Sequence, residues 1–120
     1  DYIGRARMYY TYAAELSGDG ETEDDFAYLR GERDFQNHLI NEIPRGDFAY
    51  TIARQLLVDA FNTYHSAVLT TSNDKTLAAL AEKGVNETQH HLRRSRDWTS
   101  RLGAGPHESH KRIQAALAAI

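Results

Sequence analysis

The chain has 120 residues, 41% hydrophobic and 26% charged, with 14 Lys+Arg against 17 Asp+Glu for a formal charge of −3. That length suits one domain with a core, and that composition excludes a disordered chain; having no Cys excludes a disulfide framework, a thiolate zinc site and a cysteine nucleophile. No apolar run reaches the roughly 18 residues of a membrane helix, and the mild acidity argues against a nucleic-acid binder, so the composition reads as a cytoplasmic domain.

The first segment, 1–16, sets Tyr2, Ile3, Ala6, Tyr9, Tyr10, Ala13 and Leu16 at three- and four-residue intervals, which is one face of a helix. Ser17-Gly-Asp-Gly-Glu21 ends it. Thr22 with Asp25 makes a capping-box pair whose acidic residues suit a helix start. It predicts a second helix over 23–42, carrying Phe26, Leu29, Phe35, Leu39 and Ile40, with Gly31 placed to break it in two. Pro44 and Gly46 force a turn, because proline disfavours a helical Ile43.

Asp47 caps the strongest predicted helix, 48–71, with a stripe of Phe48, Ile52, Leu56, Ala60, Tyr64 and Ala67 and with Ala53, Leu57, Phe61 and Val68 beside it. Ser72-Asn-Asp74 turns the chain and caps a long helix over 74–102, which carries Leu77, Leu80, Ala81, Val85, Leu92, Trp98 and Leu102. Gly103-Ala-Gly-Pro106 stops that helix and places Pro106 at the first position of a last one. No alternating strand pattern and no internal repeat occurs. The expectation is an all-α bundle forming one domain over 1–120, in which the two long helices run antiparallel across a short turn and cross those at 1–16 and 23–42. Asp1 abuts a helical pattern and Gln114-Ala-Ala-Leu-Ala-Ala-Ile120 ends inside one. Both ends are therefore expected to be cuts, with an N-terminal helix and a C-terminal region outside the chain.

Polar residues on apolar faces carry what chemistry there is. A 100° wheel puts Asp59 inside the apolar arc of 48–71, where a carboxylate needs a partner or a metal. On the helix at 74–102, Glu87 flanks the arc, His91 falls within it, and His90 points about 60° further out than Glu87 on the same wheel. Glu87-Thr-Gln-His90 is a Glu-x-x-His sequence, the spacing that turns a carboxylate and an imidazole toward a metal in four-helix di-iron proteins. A di-iron site needs two such motifs and two more carboxylates, and 1–16 offers only Asp1 and Arg5. Arginine is a fixed cation, which replaces metal charge rather than binding metal. A self-satisfying polar cluster of Asp59, Glu87, His91 and Arg5 thus outweighs a working metal site. The run His90-His-Leu-Arg-Arg-Ser-Arg96 reads first as a solvated face with an Arg93–Asp97 pair, and second as a surface for an anionic ligand or an acidic partner.

Several stretches together carry a resemblance. They are Tyr12-Ala-Ala-Glu-Leu-Ser-Gly-Asp-Gly20, Arg30-Gly-Glu-Arg-Asp-Phe35, Asn37, Asp47-Phe-Ala-Tyr-Thr-Ile-Ala-Arg-Gln55 with Asp59-Ala60, Glu87, His91-Leu-Arg93, Ser95-Arg96, Trp98 and Arg101-Leu-Gly103. In register over nearly the whole chain, they resemble the C-subunit family of the bacterial phenylacetyl-CoA epoxidases, also called phenylacetate-CoA oxygenases. The resemblance implies a ferritin-like fold and a structural subunit, without catalytic or cofactor residues of its own, that supports a di-iron A subunit in aerobic phenylacetate breakdown. By the same resemblance Asp59 and Glu87 fall where iron-bearing relatives carry carboxylate ligands, and His90 where their second motif has its His. Arg5 falls where the first motif's His belongs, so the chain is expected to hold no metal. The alternative is a metal-binding ferritin-like protein with its own oxidase or storage role. Expected partners are the A subunit and a second copy of the chain, with no nucleic acid and no membrane.

Overall fold

A computed structural model describes residues 2–120, and they are helical, with no strand among the described residues. They form two compact units, the first ending at Asn37 and the second running from His38 to Ile120.

In the first unit, α1 spans Tyr2–Ser17. Its end is marked by Gly18 and Gly20, both at positive φ (67° and 74°), where a side chain would be strained. The helix expected over 23–42 does break at Gly31, as the sequence suggests, but neither piece is a continuous α-helix. It is replaced by a π-helical turn (Asp25–Leu29), a 3₁₀ turn (Glu32–Asp34) and the short α2 (Leu39–Glu42), which belongs to the second unit. Local bonds outcompete the helix there. The Asp34 carboxylate accepts the Gly31 N–H at 3.0 Å, and the Asp25 carboxylate accepts both the N–H and the hydroxyl of Thr22 (2.6 and 2.9 Å), so that hydroxyl donates instead of capping. Arg30 draws the segment together: its guanidinium lies 4.1 Å from the centre of the Phe35 ring and 5.4 Å from that of Tyr10, while Nε donates to the Phe26 carbonyl at 2.6 Å. The segment's own aromatic residues thus hold a cation rather than a helical register.

In the second unit, α3 (Phe48–Leu69) and α4 (Lys75–Gly103) form a helical hairpin, and α5 (His107–Ala119) packs on both. The caps are those the sequence predicts: Asp47 Oδ1 accepts the Tyr50 N–H at 2.8 Å, and Asp74 Oδ1 the Leu77 N–H at 3.0 Å. Pro106 is one place earlier than expected. Its ψ of 155° is extended, so it is the cap residue and His107 begins the helix. His110 Nδ1 donates to the Gly103 carbonyl at 2.7 Å, satisfying one of the acceptors that the end of α4 leaves open.

The face that α3 buries differs from the expected stripe. Ala49, Ile52, Ala53, Asp59 and Ser66 are buried, while Phe48 and Tyr64 are exposed. Opposite them α4 buries Ala81, Gly84, Thr88 and Ser95. The seam is therefore built of small residues, which let two helix backbones approach closely. Its hydroxyls bond mostly to their own helix: Thr88 to the Val85 carbonyl, Ser95 to Leu92 and Thr99 to Ser95 at 2.8–3.1 Å. Thr63 bonds to the Asp59 carbonyl at 2.8 Å and reaches the Thr88 carbonyl across the seam at 3.2 Å. At one end of the hairpin Ala49, Ile52 and Ala53 meet Ile113 and Ala116 of α5 to form the core, flanked by Tyr50, Trp98 and Leu102.

The Asp47 cap makes stability depend on pH. The Tyr50 N–H, and with it Arg112 at 3.2 Å, holds the Asp47 carboxyl below its ordinary value of 3.8 against the opposing pull of burial, and Thr22 does the same for Asp25. A carboxyl depressed on folding contributes stability that is complete above its unfolded value and is lost as pH falls through the folded one. The melting temperature is therefore expected to fall on acidification from about pH 5 to about pH 2. Asp47→Asn, which keeps a capping oxygen but loses the charge, is expected to flatten that fall in a thermal melt series.

Candidate functional site

The residues singled out by the sequence lie in different surroundings. Asp59 is the buried one, 2% exposed, and its Oδ1 accepts the Gln55 side-chain N–H at 2.7 Å. It sits in the α3–α4 seam because the α3 face turned toward α4 takes in position 59 along with 52 and 66. Glu87 and His91, one turn apart on α4, are brought near each other. His91 Nε2 stands 4.0 Å from Glu87 Oε1, with the side chains 17% and 23% exposed, a contact longer than a hydrogen bond. His90 is exposed; its ring is 5.9 Å from that of His91 and points to the outside of α4. Glu87-x-x-His90 accordingly does not aim both side chains the same way, whereas Glu87 and His91 do meet. Arg5 belongs to the first unit, half-buried on α1, with its guanidinium 5.9 Å from the Tyr2 ring centre and its Nη1 without a hydrogen-bond partner among the described residues.

Among the described residues no three His, Asp or Glu side chains converge as a metal-ligand set, and the Asp59 carboxylate is engaged by an amide. Asp1, the other acidic residue considered at the start of α1, lies outside the described residues.

The sequence matches the model of the family described as phenylacetic acid catabolic protein over residues 1–120. The chain belongs to that family. It is also similar to the C subunit of 1,2-phenylacetyl-CoA epoxidase from Escherichia coli (strain K12), with 45% identity over 117 residues. That alignment takes in 98% of this chain and 47% of the relative, so the chain spans about half the length of the curated relative it matches. For a phenylacetic acid catabolic protein, then, the all-α architecture agrees with the expectation from sequence. No helix of the described residues is long and apolar enough to cross a membrane.

Sequence reasoning missed two features of this family member. Leu57, Phe61, Tyr64 and Val68 occupy one outer stripe of α3 and are 42%, 47%, 73% and 67% exposed. Their spacing of four, three and four residues was available in the sequence. What hid them is that they continue the apolar arc of α3, so a wheel shows no polar boundary between its buried part and this outer stripe. The second is that the Arg93–Asp97 pair expected from the sequence is not formed among the described residues.

Proposed function

We propose that this chain is part of a non-catalytic component of a multicomponent oxygenase that epoxidises phenylacetyl-CoA in aerobic phenylacetate breakdown. In this reading a separate subunit holds the di-iron centre and performs the oxygenation, and the present chain gives it a helical face to pack against. The observation that carries the reading is the α3 stripe. Leu57, Phe61, Tyr64 and Val68 line about 16 Å of helix, and between Gln55 and Thr71 the only charged residue is the buried Asp59. A contiguous exposed apolar face of this kind marks a protein contact. The similarity to the C subunit of an epoxidase supports the rest.

The test uses the full-length protein produced together with the epoxidase's other subunits. Phe61→Asp with Tyr64→Asp is expected to lower recovery of the di-iron subunit with it, and product formation, by more than about tenfold, with the circular dichroism of the isolated protein unchanged. Normal assembly of the variant would remove the α3 face from the reading.

The Glu87–His91 contact favours the alternative, a metal-binding ferritin-like protein with an oxidase or storage role. Iron titration with metal analysis separates the two. Stoichiometric iron lost in Asp59→Ala, Glu87→Ala and His90→Ala variants would overturn the scaffold reading.

A further inference from the structure

The outer side of α4 from His90 to Arg101 is strongly charged, and the α3 contact makes no use of it. Arg93, Arg94, Arg96 and Arg101 are all exposed there, with Asp97 among them. On a chain with a formal charge of −3, this clustering is local and not a reflection of composition.

A solvated helix face of this kind has charges that neutralise one another along the helix, and these do not. Asp97 makes no ion pair with Arg93, Arg94 or Arg101 among the described residues. Two causes are visible. Arg93 precedes Asp97 by four residues, the order of charges that opposes the helix dipole. Arg101, in the favourable order, lies instead over the Trp98 ring at 5.5 Å from its centre. Trp98 is itself braced edge-on by Phe48 at 5.3 Å, so Arg101 rests on a fixed platform. The guanidinium groups are therefore held out toward solvent without carboxylate partners among the described residues. They border two shallow grooves of ≈ 230 and ≈ 490 Å³ that share Arg93 and Asp97.

We propose that this face of α4 docks an acidic helical surface of a partner protein, and the inference rests on the reading that the chain works inside a multisubunit assembly. The spacing selects that occupant. Arg94 and Arg101 are seven residues apart, so they lie on the same side of α4 about 10 Å from each other along the axis. The Asp97 carboxylate stands between them and repels a compact phosphate that tries to reach both. A partner helix with acidic residues at the same seven-residue spacing meets both guanidinium forks in bidentate geometry and offers one basic residue to Asp97. Tryptophan and arginine are also the residues that dominate binding energy at protein contacts. Duplex DNA is the poorer match, because Asp97 interrupts the basic run and the whole chain is acidic.

The test measures association of the full-length protein with the epoxidase's purified di-iron subunit, by biolayer interferometry, over a roughly tenfold range of salt. For the wild type the association rate is expected to fall at least about tenfold as salt rises. Arg94→Glu combined with Arg101→Glu is expected to lower the low-salt rate by about 10- to 100-fold and to flatten its salt dependence, with dissociation changed less than about threefold. Arg93→Glu, in the middle of the face, is the second variant if the double one loses helical circular dichroism, and the same fall in rate is expected. A wild-type complex whose association ignores these reversals overturns the inference and leaves the proposed function standing. Failure of the wild-type proteins to associate overturns both. A salt-dependent shift of duplex DNA that the same variants abolish overturns the protein-partner reading in favour of nucleic acid.

Discussion

Ile113→Ala is expected to destabilise the second unit by about 3–5 kcal/mol, toward the upper end of what removing a buried isoleucine side chain costs. Ile113 is 1% exposed and, with Thr88, is the largest fully enclosed side chain among the described residues. Its buried neighbours are Ala49, Ile52, Ala53 and Ala116, mostly methyl groups fixed to helix backbones. The alanine methyl groups cannot swing into the space, so much of the cavity stays open and its cost adds to the lost transfer energy. Ile113→Val removes one methylene and is expected to cost only about 1 kcal/mol. For a unit of this size each kcal/mol shifts the melting temperature by roughly 4–8 °C, so calorimetry separates the two variants. A shift for Ile113→Ala no larger than that for Ile113→Val would mean that α5 is not anchored through this residue.

Gly46→Ala is expected to cost about 2–4 kcal/mol, combining left-handed backbone strain of about 1–2 kcal/mol with overpacking of about 1–3 kcal/mol. Gly46 has φ of 62°, and a Cβ built there falls 2.6 Å from Tyr50 Cδ1 and 2.7 Å from Tyr50 Cβ. Rotating the tyrosine ring relieves the first contact. It does nothing for the second, because Cβ does not move with the side-chain torsions. The backbone must shift instead, and the Asp47 cap and the Tyr50 N–H it holds shift with it. Gly18→Ala is the control: φ is 67° there but nothing lies within 4 Å, so only the strain of about 1–2 kcal/mol remains. Urea denaturation of the two variants checks the difference, and equal losses would place the whole effect in backbone strain.

What the sequence discloses follows from how local each cause is. The bounds of α3 and α4 are legible because Asp47, Asp74 and the Gly103–Pro106 stop act over three or four residues. The expected helix at 23–42 fails because rival bonds at Gly31 and Asp34, and the cation–ring contacts of Arg30, involve residues that a periodicity count treats as neutral. The buried face of α3 is hard to read from the sequence for a different reason. Large apolar residues attract attention, yet the seam is filled by Ala53, Ser66, Ala81, Thr88 and Ser95, which have little hydropathy to signal. For the site, the wheel set Asp59 and His91 inward and His90 outward, and the structure has Asp59 buried, His91 half-buried and His90 exposed. The solvent-facing arginines of α4 could not be read as unpaired, because pairing depends on where Trp98 holds Arg101.

The bonding of the seam hydroxyls has a consequence for how α3 and α4 are aligned lengthwise. Thr88, Ser95 and Thr99 spend their protons within α4, so they would be equally content if the neighbouring helix slid along by a turn. Among these hydroxyls only Thr63 notices such a slip, through its reach to the Thr88 carbonyl. These hydroxyls leave the longitudinal setting to Thr63, to side-chain packing and to the reversal of the chain. There the Thr71 and Ser72 N–H groups bond back to Val68 and Leu69, the Ser72 hydroxyl accepts from the Asp74 N–H, and Asp74 starts the return helix. Lengthening that five-residue bend would remove one of those constraints without leaving a single buried hydroxyl of α4 unsatisfied.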